Sequence, residues 1–387
     1  MVQPEPERMS QSPELDNQTR AQGKWATEPS RREVVALVVV TGILFVSVMA
    51  LFHRFWTTLE HSGDNAAFLD IASAIRHWDF QGLEVKAFWG LSYVMAGVSL
   101  LTRISDRNAL LLVSYCAGFA AIVLAYRLWG GWIAGFFAIL NFDWMQRLFL
   151  GGSEPLFMAL VFGTFLAARR ERWLLAALLA ALSTTVRPVG MFVLVALGLA
   201  LLAKRDFRNF LLASLTGLIV GGLYVVPLVL YFHNPLANVR TYQHNDWAGG
   251  RLLTWPFAAI LKSTFSDPAP ATNLVLTWGW ILFVLAGLFA LALTKDCRRY
   301  WRTRPSEMIF AVSYLIFIFT YNSPHWVRGS FPRFAIPILP FVLLAFKKWL
   351  PRDRRLLWGL AVVSSILAAC SAVGVRNVAE MVRRISG

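Results

Sequence analysis

From Val34 to Phe52 the chain runs about twenty residues without a charged side chain, the length a helix needs to cross ~30 Å of hydrocarbon. Comparable runs follow at 109–126, 131–148, 153–169, 173–185, 187–203, 208–232, 273–294, 306–322, 333–347 and 356–374. A soluble fold would need charge to cover its surface, yet charged residues make up 15% of the chain and apolar ones 57%. In lipid every backbone polar group must be satisfied within the protein, which favours helices. The sequence therefore predicts an all-α, polytopic helix bundle of about eleven spans in the cell membrane. Almost nothing in 1–33 can be buried, so a disordered cytoplasmic tail is expected there, then one membrane domain over 34–374 and a short tail over 375–387.

The net charge of +15 raises the question of nucleic acid, and its placement answers it. Basic residues gather in short links between apolar runs: Arg169, Arg170 and Arg172; Lys204, Arg205 and Arg208; Lys295 to Arg304; Lys347 to Arg355. Such links resist translocation and sit against anionic headgroups, so they mark the cytoplasmic side and point to membrane lipids as partners, with no nucleic acid. All fall on one side only if 88–103, broken by Gly90, Ser92 and Gly97, lies in the interface rather than crossing. The C-terminus then ends outside with Arg383 and Arg384, against the charge rule. The break at Arg187–Pro188 predicts two helices joined by a tight turn.

Two outer segments, 53–87 and 233–272, are long and aromatic, a pattern that favours function over mere connection. In the first, Ala67, Phe68, Ile71, Ala74, Ile75 and Trp78 recur near helical spacing and predict an amphipathic helix. Asp64 precedes it in Gly63-Asp64-Asn65, with Asp70 six positions on. A carboxylate at the mouth of a membrane cavity can act as general base, and burial there is expected to raise its pKa. Gly-Asp-Asn is equally ordinary turn and cap chemistry. Glu154, in Gly152-Ser153-Glu154-Pro155, suits a helix N-terminus, and Asp143 and Arg147 fall on the same side, placed to pair with it or to face a substrate.

Arg187 stands beside hydrocarbon, where an arginine is costly unless paired, functional or snorkelling to the headgroups. Its planar fork suits a phosphate, as does that of Arg333, which precedes a run containing Pro337 and Pro340. His325, Gln243 and Trp247 supply further hydrogen-bonding and stacking groups on the outer side. No Walker loop, dinucleotide fingerprint or zinc spacing is present, so no metal and no cofactor is expected. Cys116, Cys297 and Cys370 imply no disulfide framework.

Taken in order, Asp64-Asn65-Ala66-Ala67-Phe68-Leu69-Asp70-Ile71-Ala72, Ser153-Glu154-Pro155-Leu156-Phe157, the stretch from Trp173 to Gly190 ending Thr185-Val186-Arg187-Pro188, Asn234-Pro235-Leu236-Ala237 with Gln243 and Trp247, and Pro332-Arg333-Phe334 resemble the GT-C membrane glycosyltransferases, most of all the PIG-V-like mannosyltransferases. Gly63 and Ala67 depart from the family pattern, which has aromatic residues there. The resemblance implies a GT-C-like architecture and transfer of a sugar, commonly mannose, from a polyprenyl-phosphate donor to an extracytoplasmic glycan, lipid or protein acceptor. It implies Asp64 as general base and Arg187 or Arg333 at the donor phosphate, with Asp70, Glu154, Gln243, Trp247 and His325 as substrate-binding candidates. The rivals are a transporter or lipid flippase, a glycan polymerase or ligase using a lipid-linked donor, and a noncatalytic subunit.

Overall fold

The computed structural model describes residues 27–62, 64–80, 83, 87–243, 251–266, 271–322 and 330–374. These are helical throughout, apart from turns and one isolated bridge between Leu253 and Tyr321. Arg31–Leu51, Asp106–Trp129, Phe207–Phe232, Ala271–Leu293 and Arg354–Val373 are each long and apolar enough to cross a membrane. Phe142–Leu150 and Ser153–Arg169, bent by 105° at their junction, are apolar and long enough only when taken together, as a broken span or a re-entrant pair. The fold is thus an all-α, multi-pass membrane bundle. The expected crossings at 173–185, 187–203 and 306–322 fall on apolar helices of 10–17 residues, Trp173–Val186, Pro188–Ala203 and Pro305–Thr320.

Two expected spans are not single helices, and the residues say why. The run 131–148 breaks at Asn141, whose side chain accepts from Trp144 N at 2.9 Å and starts the next helix as its N-cap. The run 333–347 divides into Ser330–Ala335 and Leu339–Ala345, around Pro337 and Pro340. Backbone carbonyls in this broken stretch are caught by neighbouring helices: Asn141 Nδ2 donates to Pro332 O at 2.8 Å and Tyr314 OH to Phe334 O at 2.9 Å. Irregular backbone at membrane depth is tolerated on those terms.

Polar contacts sort the helix ends into two groups. At one end Arg169 reaches Leu128 O, Tyr300 and Glu307, and Arg354 reaches Glu33. Part of the expected disordered tail is docked here. Arg354 Nε donates to Thr27 O at 3.0 Å and Nη2 to Glu28 O at 2.9 Å, while Glu28 Oε1 accepts from Gly131 N at 2.7 Å. Residues 1–26 of that tail lie outside the described residues.

At the opposite end the amphipathic segment is a helix, Asn65–His77, burying Phe68, Ile71, Ala72 and Ala74 against Gly90–Thr102. The latter has 13 residues, about 20 Å at 1.5 Å per residue, too short to cross. It starts with Gly90 against the Thr185 backbone, where a Cβ would lie 2.6 Å away, and finishes with Ser99 donating to Asp106 at 2.8 Å. Both contacts belong to the same end of the bundle. Phe80, Trp89 and Tyr231 stack beside it, and Asn238 Nδ2 donates to Ala87 O at 2.8 Å.

Candidate functional site

At this end four segments far apart in sequence meet. The first is the turn before Asn65–His77. Asp64 occupies its N-cap position, but the side chain makes no capping bond. The carboxylate turns away from its own helix and accepts from Arg333 Nη2 at 2.9 Å. Asn65, fully buried, donates through Nδ2 to Leu59 O at 2.8 Å and to Leu150 O at 3.1 Å, which welds this turn to the second segment.

The second segment is the sharp corner Gly151-Gly152. Gly151 has φ +89, and a Cβ there would lie 2.7 Å from Leu110 Cγ, so glycine is required twice over. A Cβ on Gly152 would lie 2.7 Å from Arg147 Cδ and 2.9 Å from Glu154 Oε2. The missing side chain is what lets Arg147 and Glu154 share the space. Glu154 follows in the first turn of Ser153–Arg169 with its side chain 3% exposed.

The third and fourth segments bring arginines. Arg187 ends Trp173–Val186 in an extended conformation, φ −146 and ψ 139, as expected before a proline. Its Nη1 donates to Ser153 Oγ at 3.1 Å and to Glu154 Oε1. Arg333, on Ser330–Ala335, donates Nε to the same Glu154 oxygen and Nη2 to Asp64. Arg147 lies beneath, buried, with Nη1 donating to Ser62 Oγ at 2.9 Å.

The cluster is not closed. Among the described residues, Glu154 Oε2 and Arg147 Nε are buried without a hydrogen-bond partner. Asp64 is the exposed member, its side chain 46% accessible against 18% for Arg333. Partial burial pushes the Asp64 carboxyl upward, but the charge and hydrogen bond of Arg333, aided by the charge of Arg187, outweigh it and hold the pKa below its ordinary value. The expectation of a raised pKa is therefore reversed. It reckoned with burial and had no way to see a cation contributed from position 333.

Of the site residues expected from sequence, Asp64, Glu154, Arg187 and Arg333 come together. Asp70 does not join them. It sits on the opposite face of Asn65–His77, in an open cleft of about 530 Å³ shared with Glu60, Ser73, Arg76, Asp106 and Arg107. Gln243 ends the helix Ala237–Gln243, but its side chain, Trp247 and His325 lie outside the described residues. Arg147 proved more central than its sequence suggested, and Asn65 gave no warning beyond its place in the turn. Among the described residues no group of His, Cys, Asp or Glu converges as metal ligands would.

No family model matches the sequence, and no curated protein matches it. Among solved structures, ArnT from Cupriavidus metallidurans bound to undecaprenyl phosphate aligns with 15% identity and a TM-score of 0.49, over 85% of this chain and 63% of that one. The apo state of the same protein aligns with 15% identity and a TM-score of 0.45, over 79% and 59%. The chain thus spans less than two thirds of the length of the protein it resembles. Likeness at this level does not reach to substrate or chemistry.

Proposed function

We propose that the chain is a membrane glycosyltransferase of the GT-C type, moving a sugar from a polyprenyl-phosphate donor to a hydroxyl on the outer side of the membrane. The observation that carries this reading is the arginine–carboxylate cluster: one half-exposed carboxylate, Asp64, beside the partly buried forks of Arg187 and Arg333, joined through the buried Glu154. A base and a phosphate site must lie close together for such a transfer, and these side chains supply both.

The step is a displacement at the anomeric carbon. The acceptor oxygen bonds to that carbon as its proton passes to Asp64. The bond from the carbon to the phosphate oxygen breaks, and its electron pair leaves with the phosphate. A donor phosphodiester with one negative charge becomes a phosphate monoester with more. Arg187 and Arg333 therefore hold the leaving group more tightly in the transition state than in the bound donor, which is the condition for acceleration. Glu154 keeps the two guanidiniums together by engaging both on a single oxygen, while Arg333 Nη2 reaches Asp64 and Arg187 Nη1 reaches Ser153.

The resemblance to PIG-V-like enzymes makes mannose the first sugar to test. A glycan, lipid or protein hydroxyl would serve as acceptor. A transporter would be expected to carry ionisable groups near midmembrane. Here, among the described residues, the buried ion pairs gather at the two ends of the bundle, which favours the transferase. The test uses purified protein in lipid nanodiscs with radiolabelled polyprenyl-phosphate mannose and membrane extract as acceptor source. Labelled product from wild type and none from Asp64→Asn supports the reading. No transfer of any lipid-phosphate sugar, with substrate efflux from proteoliposomes instead, would replace it with transport.

A further inference from the structure

Among the described residues Arg333 is the one side chain that hydrogen-bonds both carboxylates of the cluster, Glu154 through Nε and Asp64 through Nη2. The two bonds are unequal. Glu154 is buried and braced by Arg187 as well, so its pairing is expensive to break. Asp64 is 46% exposed, makes no capping bond to its own helix, and is held to the cluster by Arg333. A pair with one half-exposed partner holds less firmly than the buried pair beside it, and a phosphate offers the guanidinium a better, two-pronged partner.

We infer that Arg333 is a switch: without donor it cages Asp64, and the arriving lipid phosphate takes over its outer N–H groups and releases Asp64 to accept the acceptor proton. The inference rests on the glycosyltransferase reading above and adds to it an order of events. The base is set free only when there is a donor to react, so water or a stray hydroxyl is not activated at an empty site. Arg333 keeps its Nε bond to Glu154 throughout, and only the half facing Asp64 changes partner.

The cage has an unusual consequence for binding. If Asp64 and the phosphate compete for Arg333, removing the Asp64 charge must strengthen donor-phosphate binding while it abolishes transfer. A base that only repels the phosphate would give a gain that persists when Arg333 is removed, and one that orients the donor would weaken binding when lost. The experiment measures the Kd of undecaprenyl monophosphate for protein in nanodiscs by thermophoresis. Asp64→Asn and Asp64→Ala are expected to bind roughly threefold to tenfold tighter than wild type, the range that loss of a half-exposed charged competitor allows. Asp70→Asn removes the same charge on the far face of the helix and is expected to bind as wild type does.

In an Arg333→Gln background the gain from Asp64→Asn should vanish. Arg333→Lys, whose point charge cannot span two carboxylates, gives the same comparison if the glutamine variant does not fold. Equal or weaker binding by both Asp64 variants overturns the switch while leaving the donor site standing, as does a gain that survives loss of Arg333. Failure of wild type and every folded variant to bind the lipid phosphate overturns the donor reading itself, and the switch with it.

Discussion

The bundle holds a buried arginine–glutamate pair at each end, and the two are finished differently. Around Arg169 each polar side-chain atom has a partner: Nε and Nη2 grip the two oxygens of Glu307 at 2.7 and 2.9 Å, Nη2 also donates to Tyr300 OH at 2.7 Å, Nη1 donates to Leu128 O at 2.7 Å, and Tyr300 donates to Glu307 while accepting from Trp129 Nε1 at 2.8 Å. Around Arg333 the bookkeeping is left open, with Glu154 Oε2 and Arg147 Nε lacking partners among the described residues and Asp64 facing outward. A saturated network fixes helices. An unsaturated one leaves buried polar atoms at a cost, and it stands at the end of the bundle where we place the donor.

That contrast can be broken by experiment, and the largest effect should come first. Asp64→Asn is expected to lower transfer by about 10²–10⁴-fold, the usual contribution of a general base, with little change in Tm because the carboxylate is half exposed. A variant that keeps even a tenth of the rate would move the base elsewhere. Glu307→Gln should do the opposite. It strands Arg169 without a counter-charge and should cost about 3–5 kcal/mol of stability, read by unfolding in detergent, while transfer per folded molecule is retained. Loss of turnover in the folded fraction would erase the distinction between the two ends.

Gly152→Ala sharpens the comparison at lower cost. The added methyl meets Arg147 Cδ and Glu154 Oε2, and overpacking of this kind costs about 1–3 kcal/mol. Because it displaces both charged side chains, its kcat should fall more than that of an equally destabilised Glu307 variant. The smallest effect is a flat line. Asp64 is held below its ordinary pKa in the free enzyme, so its ionised form is present above the ordinary carboxylate range and is lost only as pH falls through the lower, folded value. A plot of kcat/KM against pH should show no acid limb from this group between about pH 5 and 8. A limb near pH 6 that disappears in Asp64→Glu would refute the geometry.

Helix content and many boundaries could be read from apolar runs and punctuation, because lipid imposes both. The turn at Arg187-Pro188 and the start of the helix at Ser153 are local chemistry, and local chemistry is written in neighbours. The breaks at Asn141 and around Pro337 were harder. An uninterrupted apolar run conceals a kink whose freed carbonyls are rescued by side chains from positions 141 and 314. The candidate site was half legible. Asp64 stood out in a turn, Glu154 at a helix start, Arg187 beside hydrocarbon and Arg333 before a proline-containing run, whereas Asp70 was named with them and lines a separate cleft. What sequence could not convey is that a cation 269 positions downstream reverses the direction of the Asp64 pKa.

That separation also sets the order in which the cluster can assemble. A ribosome that has delivered Asp64 to the membrane must add 269 more residues before Arg333 exists to meet it. Glu154 and Arg187 emerge in between, so the buried glutamate finds its first cation well before its second. A chain made only as far as Arg187 therefore carries both carboxylates and one of the two guanidiniums that bond Glu154, and the cluster is complete only once the helix that carries Arg333 has followed.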